Sequence, residues 1–316
     1  MGILIDGVWH DQPPNVNGED GRFVRQDAAF RHWVTADGAP GPTGEGGFRA
    51  EPGRYRLYVS LACPWAHRTL IFRRLKGLES MVSLAVVHWR MLEHGWTFEP
   101  GPGVLPAPDP AIHALHELYV RARPDYSGRV TVPVLWDTQR QTIVSNESAD
   151  IIRMFNQAFD GVGATLGDYY PVALRPRIDA LNHQIYQHVN NGVYKAGFAT
   201  TQHAYDEAIE PLFETLDNLD GELRDQRFLC GSTLTEADWR LFTTLIRHDA
   251  VYYGHFKCNL RRITEYPGLW RYLRELYHWP GVAETVDFRH IKGHYYESHR
   301  QINPSGIVPR GPILAL

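Results

Sequence analysis

Strand-forming patterns stop near residue 160 in this chain, and from about residue 172 onward apolar residues recur only at helical spacing. A chain divided in this way reads as an α/β domain followed by an all-helical one. In the first half, Arg54-Tyr55-Arg56-Leu57-Tyr58-Val59 alternates polar with apolar or aromatic residues, as a strand does. Pro64 to Leu75 then reads as a helix, with proline tolerated in the first turn and Gly77 at its end. Met81 to Val87 is a second strand, and a long insertion over 88–128 follows, rich in Pro and Gly from 95 to 110. Val130 to Asp137 and Thr142 to Val144 look like a hairpin, and Ser148 to Phe159 like a helix. In the second half, Tyr205, Ala208, Ile209, Leu212, Phe213, Leu216, Leu219 and Leu223 fall on one helical face, with Pro211 expected to kink it. Thr235-Glu236-Ala237-Asp238 resembles a capping box ahead of another apolar run.

Composition narrows the function classes. A length of 316 residues suits about two domains. Lys plus Arg total 32 against 36 Asp plus Glu, which argues against a nucleic-acid binder that neutralises phosphates. No apolar stretch approaches the length of a membrane span, and the N-terminal MGILIDGVWHDQPP lacks the features of a secretory leader. Three cysteines cannot build a disulfide framework, so a cytoplasmic location is expected. Aromatic residues make up 12% of the chain, and His adds 16 more. Most such rings fill cores, but an aromatic-walled pocket for a flat ligand is also open to this chain. Residues 10–53 are polar and loop-like and end in GAPGPTGEGG (38–47). That run lacks the Gly-Lys-Ser/Thr and the strand-to-helix setting of a phosphate loop, so it reads as a surface loop.

Cys63 is the residue with the clearest chemistry. It falls where the first strand ends and the first helix begins, and helix N-termini present unpaired N–H groups and partial positive charge. Both favour thiolate over thiol. The alternative is a small buried apolar side chain, which is what most cysteines outside disulfides are. The motif Cys63-Pro64-Trp65-Ala66 puts Ala where a dithiol enzyme has its second Cys, so an external thiol would have to clear a mixed disulfide. Cys230 and Cys258 read as structural. A cis bond in Val132-Pro133-Val134 would expose the backbone of Val134 to a peptide-like ligand. Glu147 and Ser148 open a helix whose N–H groups and hydroxyl can bind a carboxylate. Weak one by one, these features in this order describe a thioredoxin-like site for glutathione.

The chain resembles the xi-class glutathione transferases, the glutathionyl-hydroquinone reductases. The similarity spans nearly the whole sequence, through SLACPWAHRTLIFRRLKGLE (60–79), VPVLWD (132–137), IVSNESADIIRMFN (143–156), NNGVYKAGFA (190–199) and the C-terminal GHYYESHRQINPSGIVPRGP. It implies an N-terminal extension over 1–53, an α/β thioredoxin-like glutathione-binding domain over 54–160, and an all-α glutathione-transferase domain with its tail over 172–316. It also implies a reaction in which a glutathionyl-hydroquinone and glutathione give hydroquinone and glutathione disulfide through a mixed disulfide on Cys63. Trp96 would cover the bound glutathione, Arg129 would hold its charged ends, and Val134 would pair with its cysteinyl unit. Glu147 and Ser148 would hold the γ-glutamyl end. Tyr194 and Tyr296, with Tyr295, would line the hydroquinone pocket, and a tyrosine hydroxyl would protonate the leaving carbon. Glutathione is thus the co-substrate, and a homodimer is implied.

His290, His294 and His299 near the C-terminus have zinc-like spacing, but without a Cys nearby they are expected to face the pocket, and no metal is expected. Arg73-Arg74 and Arg261-Arg262 read as solvated or acid-paired. The 88–128 insertion reads as a functional loop. Two rivals stand beside the reductase reading. One is a conjugating transferase or reductive dehalogenase, for which Ser or Tyr would be expected in the slot that Cys63 fills. The other is a binding module that has lost catalysis, which would have no need of a cysteine at a helix start.

Overall fold

In the computed structural model, residues 2–12 and 16–316 are described. The strands and α-helices run in the order β1 (Ile3–Ile5), β2 (Val8–His10), β3 (Tyr55–Val59), α1 (Pro64–Leu75), β4 (Val82–Val86), β5 (Met91–Leu92), β6 (Gly95–Trp96), α2 (Leu115–Ala122), β7 (Val134–Asp137), β8 (Thr142–Ser145) and α3 (Ser148–Gln157). Helices follow: α4 (Arg175–Gln184), α5 (Gly192–Gly197), α6 (Gln202–Asp225), α7 (Glu236–Arg247), α8 (Pro267–Tyr277) and α9 (Phe288–Ser298). Wider π-helical turns at Ile185–Asn190 and His248–Tyr252 continue α4 and α7.

The central sheet has the order β4-β3-β7-β8. β3 and β4 are parallel, joined by α1 as the crossover that a parallel pair requires, while β7 is antiparallel to both β3 and β8. Strands β3, β7 and β8 are buried on both faces: Leu57, Val59, Val134, Leu135, Ile143 and Val144 are fully covered. This is the thioredoxin-like core expected of the first half. In the all-helical part, the predicted face of α6 is buried from Ala204 to Leu223, and the helix runs continuously through Pro211. The capping box at α7 forms in the direction that matters here, with the Asp238 carboxylate accepting the Thr235 N–H at 2.8 Å.

Two compact units emerge, dividing at Gly167/Asp168, between the expected 160 and 172, but with no division at 53/54 and with segments exchanged at both ends of the chain. The first comprises the described N-terminal residues up to Gln12, Asp27–Gly167 and Thr285–Arg300; the second comprises Val16–Gln26, Asp168–Glu284 and Gln301–Leu316. The reason is tertiary pairing that no local pattern announces. Part of the supposed extension lies along β8, where the His32 N–H donates to the Val144 carbonyl at 2.9 Å and the Phe30 N–H to the Asn146 side chain at 3.0 Å. The chain's first residues form the hairpin β1–β2, whose Leu4 exchanges backbone hydrogen bonds with Gly128 at 3.0 and 2.9 Å. The 88–128 insertion is not all loop. It holds the β5–β6 hairpin and α2, whose Leu115, Leu118 and Tyr119 are buried. Finally α9, expected with the helical half, belongs to the first unit.

Candidate active site

Cys63 occupies the N-cap of α1, in extended conformation (φ −76°, ψ 122°), with Pro64 opening the helix. No acidic side chain lies in the first turn of α1, so nothing there offsets the positive end of the helix. The thiol donates to the carbonyl oxygen of Val132 at 3.6 Å, and the Val132–Pro133 peptide is cis. The expected opposition of the cysteine and a cis-proline turn is therefore present. The carbonyl that accepts from the thiol belongs to Val132. Val134 is the fully buried first residue of β7, in register with Tyr58.

The start of α3 supplies the second half of the site. Glu147 is its N-cap and turns its carboxylate onto the Ala149 N–H at 2.9 Å. Ser148 is buried, and its hydroxyl lies 3.5 Å from the guanidinium of Arg68, a buried residue of α1. That guanidinium also lies over the Trp65 ring, 4.6 Å from its centre. A helix N-terminus and a buried cation thus meet at one hydroxyl, a setting that favours an incoming carboxylate. Arg68 was not among the expected residues, although it stands in the same Cys-Pro-Trp-Ala-His-Arg run. Arg129 is half-buried four residues before Pro133, and its carbonyl accepts the Tyr126 hydroxyl at 3.0 Å.

Trp96 ends β6 and is nearly buried. Its ring stacks on His294 of α9, with centroids 4.8 Å apart and planes 26° from parallel. His294 also meets the ring of Tyr295 edge-on at 5.3 Å. One imidazole therefore touches two of the expected pocket residues. Tyr295 is buried, and Tyr296 beside it is half-buried, with burial pushing its hydroxyl pKa up. Tyr194 lies in the second unit, in an aromatic cluster with Phe23, Phe198, Tyr252 and Phe256, with the Arg25 guanidinium 4.9 Å above its ring.

The histidines first weighed as a zinc set hold backbone instead. His290 Nε2 donates to the Pro102 carbonyl at 2.7 Å, and His294 Nδ1 to the Trp89 carbonyl at 2.8 Å. Among the described residues no group of three or more His, Cys, Asp or Glu is placed to hold a metal ion. Burial pushes the pKa of both Cys230 and Cys258 up, which makes either a poor source of thiolate.

Comparison with known proteins agrees with this geometry. The glutathione S-transferase N-terminal domain family matches residues 62–158, and the glutathione S-transferase C-terminal domain family matches residues 202–275. The chain is 60% identical over 313 residues to glutathionyl-hydroquinone reductase YqjG of Escherichia coli (strain K12), covering 99% of this chain and 95% of that one. It is 53% identical over 312 residues to glutathionyl-hydroquinone reductase PcpF of Sphingobium chlorophenolicum, covering 99% and 96%. Among solved structures, glutathione-bound YqjG superposes with a TM-score of 0.92 at 58% identity, covering 99% of this chain and 96% of that chain. A xi-class glutathione transferase from Natrialba magadii also gives 0.92, at 49% identity, covering 99% and 94%.

Proposed function

The chain belongs to the xi-class glutathione transferases, the family of the glutathionyl-hydroquinone reductases, and from that premise we propose that Cys63 is the nucleophile of a glutathionyl-hydroquinone reductase. The enzyme reduces glutathionyl-hydroquinones to hydroquinones with glutathione as co-substrate. The observation that carries the assignment of Cys63 is its place at the N-cap of α1 against the Val132 carbonyl beside cis-Pro133.

The Cys63 thiolate attacks the glutathione sulfur of the conjugate. An S–S bond forms, the aryl C–S bond breaks, and its electron pair stays on the ring carbon. That carbon takes a proton and the hydroquinone leaves. A second glutathione thiolate then attacks the glutathione sulfur of the mixed disulfide, releasing glutathione disulfide and restoring Cys63. For each C–S bond reduced, one glutathione thiol and the conjugate's thioether sulfur end as one disulfide, and Cys63 returns as thiolate. Ala66, where a second cysteine would act as resolving thiol, is why glutathione must perform this step.

The tripeptide's carboxylates are assigned to the Glu147–Ser148 helix start and to Arg129, with Arg68 adding charge at Ser148. Its cysteinyl unit pairs with the backbone beside cis-Pro133, on the Val132 side as well as at Val134. Trp96 covers it. Tyr295 and Tyr296 are assigned to the hydroquinone, the resemblance assigns Tyr194 to the same ligand, and the Tyr296 hydroxyl, protonated at neutral pH as a tyrosine is, can donate. The family resemblance supports a homodimer. The absence of any disulfide among the three cysteines is compatible with the cytoplasm.

Turnover of a glutathionyl-hydroquinone with glutathione, with hydroquinone and glutathione disulfide quantified together, tests this reading. Wild type should form them one to one and Cys63→Ala should form neither. A folded wild type without turnover overturns it.

A further inference from the structure

The mechanism above gives no task to His294 or to Trp9, yet both grip the short hairpin that carries Trp96. The hairpin pairs Met91 with Trp96 and Leu92 with Gly95. α9 holds its open end. The Ser298 hydroxyl accepts the Met91 N–H at 3.0 Å, and the Glu297 carboxylate accepts Arg90 Nε at 2.7 Å and Trp89 Nε1 at 3.2 Å. Gly293 lets α9 approach this closely, since a Cβ there would meet the Trp89 ring at 2.7 Å. The N-terminal hairpin holds the turn. Trp9 donates its indole N–H to the Glu93 carbonyl at 2.9 Å and stacks on His116 of α2 at 4.6 Å with planes 13° apart. Gly95 has φ +67°, and a Cβ on it would lie 2.8 Å from the Trp9 ring.

His294 both stacks on Trp96 and is itself held in orientation. A carbonyl only accepts, so the hydrogen bond to Trp89 requires the proton on Nδ1 and fixes the plane of the ring. We propose that His294 is a positioning residue that sets the Trp96 ring over the bound glutathione through this stack, with Trp9 bracing the turn of the same hairpin. The inference rests on the reading that Trp96 covers glutathione. It ties the N-terminal hairpin and α9, which also carries Tyr295 and Tyr296, to one aromatic wall of the site.

The test is calorimetric binding of S-methylglutathione, which cannot enter the thiol exchange, to the full chain. A stacked aromatic pair carries enough energy for a roughly two- to ten-fold change in affinity. Trp96→Ala and His294→Ala should each weaken binding by about that factor, and the double variant should lose no more than the worse single one. His294→Phe, which keeps a flat ring, should restore most of the affinity. His294→Asn, which keeps a donor for Trp89 but no ring, should not. Trp9→Ala should weaken binding and Trp9→Phe should recover it. In turnover, the loss should appear in KM for glutathione rather than in kcat. If His294→Ala binds like wild type, if its effect adds in full to that of Trp96→Ala, or if Asn restores and Phe does not, the positioning role is overturned. If Trp96→Ala itself binds like wild type, the covering role of Trp96 fails first and the inference falls with it. Should His294→Ala not fold, the Phe and Asn pair alone decides.

Discussion

The thiol of Cys63 and the carbonyl oxygen of Val132 are 3.6 Å apart, a helix start facing a cis-proline turn across one hydrogen bond. A serine hydroxyl could keep that hydrogen bond but is a far weaker nucleophile toward sulfur. Cys63→Ser should therefore lower kcat by roughly 10³-fold or more while leaving S-methylglutathione affinity near wild type. Wild type given the conjugate without free glutathione should gain one glutathionyl group on Cys63, seen by intact mass and removed by dithiothreitol. A Cys63→Ser protein that turns over at more than a tenth of the wild-type rate would contradict the assignment.

A tyrosine hydroxyl is protonated across the neutral range, and burial pushes the Tyr296 pKa further from it, so Tyr296 carries a proton to offer at any neutral pH. Tyr296→Phe should lower kcat by about ten- to hundred-fold, since general acids contribute roughly 10²–10⁴ and the half-buried site admits water in its place. Steady-state kinetics on the variant, with KM for glutathione unchanged, would bear this out.

Arg54 and Asp137 form a buried ion pair where β3 begins and β7 ends, with Arg54 Nη2 2.5 Å from the carboxylate and both side chains covered. The carboxylate also accepts the backbone N–H of Gln139 at 2.9 Å. Removing Asp137 leaves the buried Arg54 guanidinium with only the more exposed Glu51 carboxylate at 3.6 Å and the Gly47 carbonyl at 2.9 Å. Asp137→Ala should cost about 3–5 kcal/mol of unfolding free energy, measured by urea titration.

Asp238 ties the start of α7 to its surroundings, accepting the Leu229 and Thr235 N–H groups and the Tyr272 hydroxyl at 2.8 to 2.9 Å. Burial pushes its carboxyl up to about 6, against the downward pull of those donors. Between roughly pH 4 and 6 the folded chain therefore holds a proton that the unfolded chain has released. Its contribution to stability is complete below about pH 4 and is lost as pH rises through 6. Urea unfolding of wild type should weaken relative to Asp238→Asn over that window, by up to about 3 kcal/mol. A constant difference from pH 4 to 7 would refute it.

What the sequence made legible was what short-range chemistry encodes. The strand over 55–59, the helix over 64–75 and the cysteine between them follow from alternation, a first-turn proline and a stop glycine, and the structure places them there. Glu147 at the start of α3 was visible for the same reason. The rest depends on partners far along the chain. Nothing local shows that residues 30–32 lie along β8, or that α9 leaves the helical half. α2 was hidden within an insertion whose Pro and Gly content suggests loop. Trp96 could be picked out through the family resemblance. His294, the ring it stacks on, could be placed only in a segment expected to face the pocket, because its contacts lie some 200 residues away in sequence. That the Cys63 sulfur meets the Val132 carbonyl was not legible, because a sequence suggests which turn faces the cysteine but not which carbonyl its thiol reaches.

The membership of α9 in the first unit has a consequence for how the protein is made. Synthesis proceeds from the N-terminus, and domains generally form as they emerge. The thioredoxin-like unit nevertheless lacks its last helix until residue 298 has left the ribosome, when almost the whole second unit has already been synthesised. Until then the nascent first unit lacks the ring that stacks on Trp96 and the hydroxyl that binds the Met91 N–H. A chain truncated before Phe288 would carry Cys63 but not the helix that holds the hairpin of Trp96, so the presence of the nucleophile marks neither a finished fold nor a finished site.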